Sequence, residues 1–420
     1  MNANERKIIF PITIGGILEW YEVYQFIYWA PIISKSYFDL SLSLTELSHA
    51  FLILFIGFLS RPIGGLIFGY FGDKLGRKKS FMLTILLVAF PSFLITLMPD
   101  ISSWAFFSMI YLAIMRFFQG IPAGGELPGA LCYLYESAKP SRRKYLCSYL
   151  FVGPQIGQLI SMVQILLFEE LLTHEQLVTW GWRLSFFIGG MIGVSGFFIR
   201  KKLEESSSFE HLKEVHHVLK NPIKKSFLYH KKDIIQGILI SVFEVVGFFL
   251  LAFFLVENSQ EILNLNIKET LTLYFLVLLF ITFMMPTLGY LGERLNTNYI
   301  LSLSAFLTII LSLPLYLSIS IENALLSSIF VVLLATVLII QFSFLPSILA
   351  ELYPTSVRYT CLGFSFNIAD SVIGGLSPLV ATLITYKTGN SAAFTVMLPI
   401  SALIFLLTLP FIKRKKTSTL

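Results

Sequence analysis

Charge is what this 420-residue chain has least of. Asp, Glu, Lys and Arg together make up 13% of it, about half the ~25% of a soluble domain. Apolar residues reach 55%, with 40 Phe, and mean hydropathy is +0.76. So few charges cannot cover a globule with polar surface, and much of the surface must meet lipid. The same figures exclude disorder, coiled coil and collagen. Cysteine is scarce too. Cys132, Cys147 and Cys361 fall in or near apolar segments and read as reduced buried thiols, so a disulfide scaffold is excluded. No P-loop is present, so ATP does not drive this protein, and neither H-E-x-x-H nor a nucleophile elbow occurs. An enzyme is therefore not expected, nor is a cofactor. His211, His216 and His217 cluster in a polar stretch, but no Cys or acid completes a ligand set at a recognised spacing, so no metal is expected. A cleavable signal peptide is not visible: the first apolar run follows Arg6 and Lys7, is too long, and lacks a small-residue cleavage site.

What is there is a series of apolar runs. A bilayer-spanning helix needs roughly 20 apolar residues. Twelve runs qualify: 8–34, 45–71, 79–98, 103–136, 141–171 and 182–201, then 233–257, 269–291, 298–319, 322–352, 355–387 and 391–412. No alternation of period two is sustained, which excludes a barrel. The expected fold is an all-α membrane protein of twelve transmembrane helices. It divides into a six-helix bundle (1–201), a partly helical linker (202–232) and a second six-helix bundle with a short basic tail (233–420).

Lys and Arg set the orientation. Placing both termini and the even-to-odd loops on one side gathers 25 of the 31 basic residues there, including Lys413 to Lys416. Only Lys35, Lys268 and Lys387 fall on the other side. Both termini are thus expected in the cytoplasm of a bacterial inner membrane. The net charge of +6 is topogenic and implies no nucleic-acid partner.

The halves repeat. Gly69-Tyr70-Phe71-Gly72-Asp73-Lys74-Leu75 returns 220 residues later as Gly289-Tyr290-Leu291-Gly292-Glu293-Arg294-Leu295. More weakly, Pro140, Arg143, Tyr145 and Cys147 return as Pro354, Arg358, Tyr359 and Cys361. Two six-helix halves with repeated turns describe a duplicated secondary transporter, with its substrate site near the bilayer midplane.

Gly69-x-x-x-Asp73-Lys74-x-Gly76-Arg77-Lys78-Lys79 resembles the cytoplasmic signature of the major facilitator superfamily. Further segments resemble its metabolite:proton symporter family, which includes proline/betaine, oxoglutarate, citrate and shikimate carriers. They are Glu19-Trp20-Tyr21-Glu22, Arg61-Pro62-Ile63-Gly64-Gly65, Arg116-Phe117-Phe118-Gln119-Gly120, Gly124-Gly125-Glu126, Trp180-Gly181-Trp182-Arg183, Leu203-Glu204-Glu205-Ser206 and Tyr353 to Thr360. The chain has Glu22 where that family usually has Asp. Gly153-Pro154 partly resembles a motif of drug:proton antiporters. The coiled-coil tail of osmosensing betaine carriers is absent, so osmosensing of that type is not expected. The resemblance implies that helices 1, 4, 7 and 11 line the central cavity.

Ionisable groups inside spans are costly, and Glu19, Glu22, Arg61, Arg116, Glu126, Glu244 and Asp370 stand out. Desolvation disfavours the charged form of a buried carboxylate, and a neighbouring Arg favours it. A pairing that breaks in one conformation therefore couples proton affinity to conformation. Glu22 with Arg116 is the first expected proton-coupling pair, followed by Glu19 and Glu126; the alternative is that these groups only hold helices together. Arg61 opens a tight turn and reads as structural. Expected substrate contacts are Trp20, Tyr21, Tyr24 and Gln119 in the first half, and Glu244, Gln341, Asn367 and Asp370 in the second. The second set, with its two acids, is suited to a cationic or amine group, and the aromatic faces of the first suit a quaternary ammonium, unless those rings merely pack or anchor at the interface. An expected conformational latch comprises Gly69, Asp73, Gly76, Arg77, Glu136, Arg143, Glu293, Arg294, Glu351 and Arg358, through Arg–carboxylate pairs and carboxylates at helix N-termini.

The expected function is proton-driven import of a small polar carboxylate or zwitterion by rocking of the two halves. The partners are that solute, protons and the lipid bilayer, and the protein is a monomer. Two alternatives remain: a proton-driven exporter of a larger amphipathic compound such as a siderophore or drug, and a transporter-like sensor.

Overall fold

A computed structural model describes residues 3–37, 46–98, 105–253 and 267–412. The basic run Lys413 to Lys416 lies outside the described residues. Among the described residues every regular element is helical. The first six long helices are α1 (Ala3–Tyr37), α2 (Glu46–Leu75), α3 (Arg77–Thr96), α4 (Ala105–Ser137), α5 (Val152–Leu171) and α6 (Trp182–Arg200). The linker forms α7 (Ser207–Glu214) and α8 (Pro222–Tyr229). Then come α9 (Lys231–Phe253), α10 (Ile267–Leu291), α11 (Thr297–Ser320), α12 (Ala324–Leu352), α13 (Arg358–Asn367), α14 (Gly375–Thr388) and α15 (Met397–Thr408). Ten spans among the described residues are long and apolar enough to cross a membrane. The helices α1 and α4 complete the twelve; these are the two that bury Glu19, Glu22, Arg116 and Glu126.

Several apolar runs carry irregular turns, among them the fifth, the sixth and the eleventh. The fifth begins with a 3-10 turn (Pro140–Arg142) and a short helix (Arg143–Cys147) before α5. A π turn (Leu177–Gly181) leads directly into the sixth. In the eleventh, a π turn (Ile368–Gly374) joins α13 to α14 and carries Asp370. Hydrophobic periodicity does not register such one-residue insertions, and π turns are frequent at functional sites.

The chain divides into two compact units that do not follow the sequence midpoint. Unit 1 comprises residues 1–137, 150–223 and 355–363, and unit 2 comprises 138–149, 224–354 and 364–420. Each unit thus includes a short segment from the other half of the sequence.

In unit 1 the closest packing is between α2 and α4. A side chain at Gly64 would overlap the main chain of Ile121, and one at Gly124 that of Arg61. In lipid no hydrophobic force drives helices together, so small residues that allow close approach do much of the work. Around this crossing an aromatic-rich core gathers Phe26, Trp29, Ile53, Leu112, Trp182 and Phe186. Unit 2 shows the inverse of a soluble protein. On α11 the buried stripe holds Ser304, Ala305, Thr308 and Ser312, while Leu303, Phe306, Ile310 and Leu313 are exposed. That stripe follows helical spacing, with small and polar residues packed inward and large apolar ones turned outward.

Candidate functional site

The α2–α3 turn builds a buried charge cluster within unit 1. Gly76 has φ +110°, a left-handed conformation that favours glycine, and it lets the chain reverse directly into α3. The reversal puts Asp73 and Arg77 side by side, Nη1–Oδ1 2.9 Å. Arg77 also donates through Nε and Nη2 to the two oxygens of Glu136, both at 3.0 Å, and to the carbonyls of Gly72 (2.6 Å) and Thr355 (2.5 Å). Arg358 donates to Glu136 at 2.6 Å, and Ser206 does so at 2.7 Å. The Asp73 carboxylate accepts from the main-chain amides of Tyr359 (3.2 Å) and Thr360 (2.9 Å), at the start of α13. Gly69 lets α2 approach there, since a side chain at that position would meet the backbone of Thr360. The fork of Arg77 and the exposed donors of a helix N-terminus are the two arrangements that best hold a buried carboxylate.

Sequence reasoning gathered Gly69, Asp73, Gly76, Arg77, Glu136 and Arg358 here, and the structure brings them together. It missed Glu205, which accepts from the amides of Arg77 (2.9 Å) and Lys78 (3.2 Å) and so caps α3. The four-residue Leu203–Ser206 segment was the available signal.

The repeat recurs as geometry in unit 2. Glu293 accepts from the amide of Tyr145 at 2.9 Å, as Asp73 accepts from that of Tyr359. Lys144 donates to the carbonyls of Gly292 (2.8 Å) and Leu295 (3.0 Å), and Arg142 lies over the rings of Tyr145 and Tyr290. Arg143 and Glu351 are half-buried in unit 2, and Arg294 is exposed.

Midway along unit 1 the acids separate into two environments. Glu126 is locked. Arg200 forms a two-pronged ion pair with it, one prong at 2.9 Å, and Thr84 donates to it at 2.6 Å. Arg200 further donates to the carbonyls of Pro11 (3.0 Å) and Phe81 (2.8 Å) and lies 3.5 Å over the Phe81 ring. Glu19 and Glu22 instead line a cavity of about 30 Å³ with Arg61, Arg116 and Gln119. That is room for one or two waters. Glu19 pairs with Arg61 at 2.9 Å. Arg116 reaches Glu22 through its main-chain oxygen (3.3 Å), and Gln119 donates to the Glu22 carboxylate (3.3 Å) and to Ser92 (2.9 Å). Among the described residues Oε1 of Glu22, Nε of Arg116 and Oε1 of Gln119 have no hydrogen-bond partner. Arg116 stands 4.1 Å over the Phe26 ring, which fixes its plane.

The α1 residues expected to touch substrate occupy different faces. Tyr21 is fully buried and donates to Gln164 and to the carbonyl of Ser185 (2.9 Å). Gln25 and Trp29 join the same network, with Trp29 donating to Ser185 at 2.9 Å. Trp20 and Tyr24 form an aromatic ladder on another face, ring centroids 6.0 Å apart. In unit 2, Gln341 is buried and donates to Ser304 (2.5 Å) and to the Leu301 carbonyl (3.3 Å). Glu244, Asn367 and Asp370 are all buried, with Glu244 within electrostatic reach of Asp370.

The comparisons with known proteins agree with this architecture. The sequence pattern of the Major Facilitator Superfamily matches residues 12–375. The chain is 30% identical over 406 residues to a "Putative proline/betaine transporter" of Staphylococcus aureus, covering 92% of this chain and 84% of that one. It is 26% identical over 419 residues to a "Citrate-proton symporter" of Klebsiella pneumoniae, covering 98% and 93%. Among solved structures, the proton:xylose symporter XylE superposes with a TM-score of 0.78 at 15% identity, covering 97% of this chain and 95% of that one, which shows a shared fold. This multi-pass membrane protein, a transporter and not an enzyme, belongs to the Major Facilitator Superfamily.

Proposed function

We propose that the protein is a proton-coupled importer of a small polar organic metabolite, a carboxylate or zwitterion, that works by alternating access. The observation that carries this reading is the small cavity of unit 1, where Glu19, Glu22, Arg61, Arg116 and Gln119 converge. With both acids ionised, two carboxylates face two guanidiniums and the site is neutral. Protonating Glu22 leaves the Arg116 charge uncompensated, and in a desolvated site that favours an incoming carboxylate. Proton and solute then enter together and leave together. Similarity to a citrate–proton symporter and to a proline/betaine transporter supports the same class. Glu22 and Arg116 are assigned to proton coupling, with Glu19 and Arg61 as the neighbouring pair. Glu126, held by Arg200, is assigned to structure. The α2–α3 cluster tunes the conformational equilibrium. Two six-helix halves joined by the 202–232 linker, both termini in the cytoplasm, a bacterial inner membrane and a monomeric state without cofactor complete the proposal.

The exporter reading rested on Gly153-Pro154 and on the high Phe content. Gly153 and Pro154 pack α5 closely on α1, where a side chain at Gly153 would overlap the Thr13 carbonyl and one at Gly16 would meet Pro154. The test is uptake into proteoliposomes. Accumulation of a labelled carboxylate or zwitterion when the outside is acid, abolished by a protonophore, is expected. Accumulation only with an acid interior, or no flux of any solute tried, would reject import.

A further inference from the structure

The charge of the linker gathers at its end. Between Glu214 and Glu244 the sequence carries Lys220, Lys224, Lys225, Lys231 and Lys232 against a single acid, Asp233. That acid is turned to His230, Oδ2–Nδ1 2.9 Å. The five lysines lie in or beside α8, which runs almost directly into α9. The amide of His230 donates to the Ser226 carbonyl and that of Ile234 to the His230 carbonyl, both at 2.9 Å. The apolar span begins at Lys231, so all of α8 lies within about 12 Å of the membrane edge.

One side of α8 is packed. Ser226 is buried, and the Phe227 ring stands edge-on to Phe364 of α13, centroids 5.0 Å apart. The other side is open. Lys224, Leu228, Lys231, Ile235 and Leu239 are all exposed, at steps of three or four residues, so one stripe passes from α8 onto α9. On α9 the stripe is apolar, as a lipid-facing surface must be. On α8 the lysines alternate with large apolar groups, Leu228 at 57% exposure and Tyr229 beside it at 75%. Topogenic charge asks only that lysines stand on the correct side of the membrane. It does not ask them to share an exposed stripe with Leu and Tyr. A short basic helix that continues a lipid-facing surface is complementary to an anionic phospholipid, its ammonium groups to the headgroup phosphate and its apolar groups to the acyl chain. The end of the chain adds charge at the same corner: Gln236 donates to the carbonyl of Phe411 at 3.1 Å, two residues before the run Lys413 to Lys416.

We infer that Lys224, Leu228 and Lys231 form a binding site for an anionic phospholipid of the leaflet that meets the linker. This goes beyond the import reading and does not depend on it. Full-length protein is purified in micelles doped with equal amounts of dioleoyl phosphatidylglycerol and dioleoyl phosphatidylcholine, and bound lipid is read by native mass spectrometry. Each lysine beside an anionic headgroup strengthens binding about fivefold, so the wild type should prefer phosphatidylglycerol by about tenfold or more. Lys224→Gln/Lys231→Gln should lower that preference at least fivefold. Lys201→Gln/Lys202→Gln removes the same charge from exposed positions after α6 and should lower it less than twofold. All four side chains are exposed, so both variants should fold. Glycerol 3-phosphate, a headgroup without chains, should leave the bound lipid in place. The inference is overturned if the wild type shows no preference, if Lys224→Gln/Lys231→Gln lowers it less than fivefold, or if Lys201→Gln/Lys202→Gln lowers it as much. Displacement of the lipid by glycerol 3-phosphate would overturn it too, since the occupant would then be a soluble phosphate ester. Micelles hold no gradient, so none of these outcomes bears on the direction of transport.

Discussion

Asp73→Asn isolates the contact between the α2–α3 turn and the start of α13. The Asp73 carboxylate accepts from two amides at 3.2 and 2.9 Å and pairs with Arg77 at 2.9 Å. Asn keeps one oxygen and nearly the same shape. It loses one charged acceptor and turns an amide donor toward donors that want an acceptor. A hydrogen bond to a charged group contributes ~1.5–3 kcal/mol, so the arrangement described here loses about that much relative to any conformation in which the contact is open. That shifts the equilibrium between conformations by roughly tenfold to a hundredfold. Arg77 keeps Glu136 and two carbonyls, so the protein should still fold. Initial uptake into proteoliposomes should therefore fall about tenfold or more, while equilibrium solute binding in detergent stays within a few-fold, because none of these atoms belongs to the mid-span cavity. Binding lost as completely as transport would refute the reasoning, and so would transport at the wild-type rate.

Glu22→Gln mimics the protonated side chain, so pH-driven accumulation should vanish while solute exchange at equal pH persists; full accumulation would move the proton to Glu19. Arg116→Lys should fail in both assays, since a point charge cannot both reach the Glu22 carbonyl and stack on Phe26. Glu126→Ala leaves Arg200 buried without its carboxylate, a loss of about 3–5 kcal/mol that should appear as low yield and reduced thermal stability, with Glu126→Gln less affected. Tyr21→Phe removes hydrogen bonds to Gln164 and Ser185 and should cost ~1–2 kcal/mol of stability while leaving solute affinity within twofold.

Twelve helices and the meeting of Asp73, Arg77, Glu136 and Arg358 were legible because the signals are collective: long apolar runs, basic loops and a seven-residue segment repeated at a fixed offset. The partners of single side chains were less so. Arg200 precedes Lys201 and Lys202 and reads as one more topogenic charge, yet its side chain turns back to Glu126. Arg61 reads as the start of a packed turn and proves to be the partner of Glu19. Trp20 and Tyr21 look alike in a row of aromatics, but a step of about 100° per residue sends Tyr21 into a closed polar network. Main-chain amides such as those of Tyr359 and Tyr145 carry no residue-type signature, so the crosswise acceptance by Asp73 and Glu293 shows only in three dimensions.

That crosswise exchange has a consequence for biosynthesis. Asp73, Arg77 and Glu136 emerge early, but residues 355–363, which supply two amides, a carbonyl and the Arg358 guanidinium to them, are made more than two hundred residues later. At ~5–20 residues per second the ribosome takes roughly ten to forty seconds to cover that interval. During that time the first half of the chain cannot close its most charged corner, and water or a chaperone must occupy it. A chain stopped at Pro354 should therefore remain protease-sensitive at the α2–α3 turn even when its first six helices are inserted, and completion of the next nine residues should protect it. The duplicated turn is in this sense a checkpoint: the early half finishes folding only when the late half has arrived.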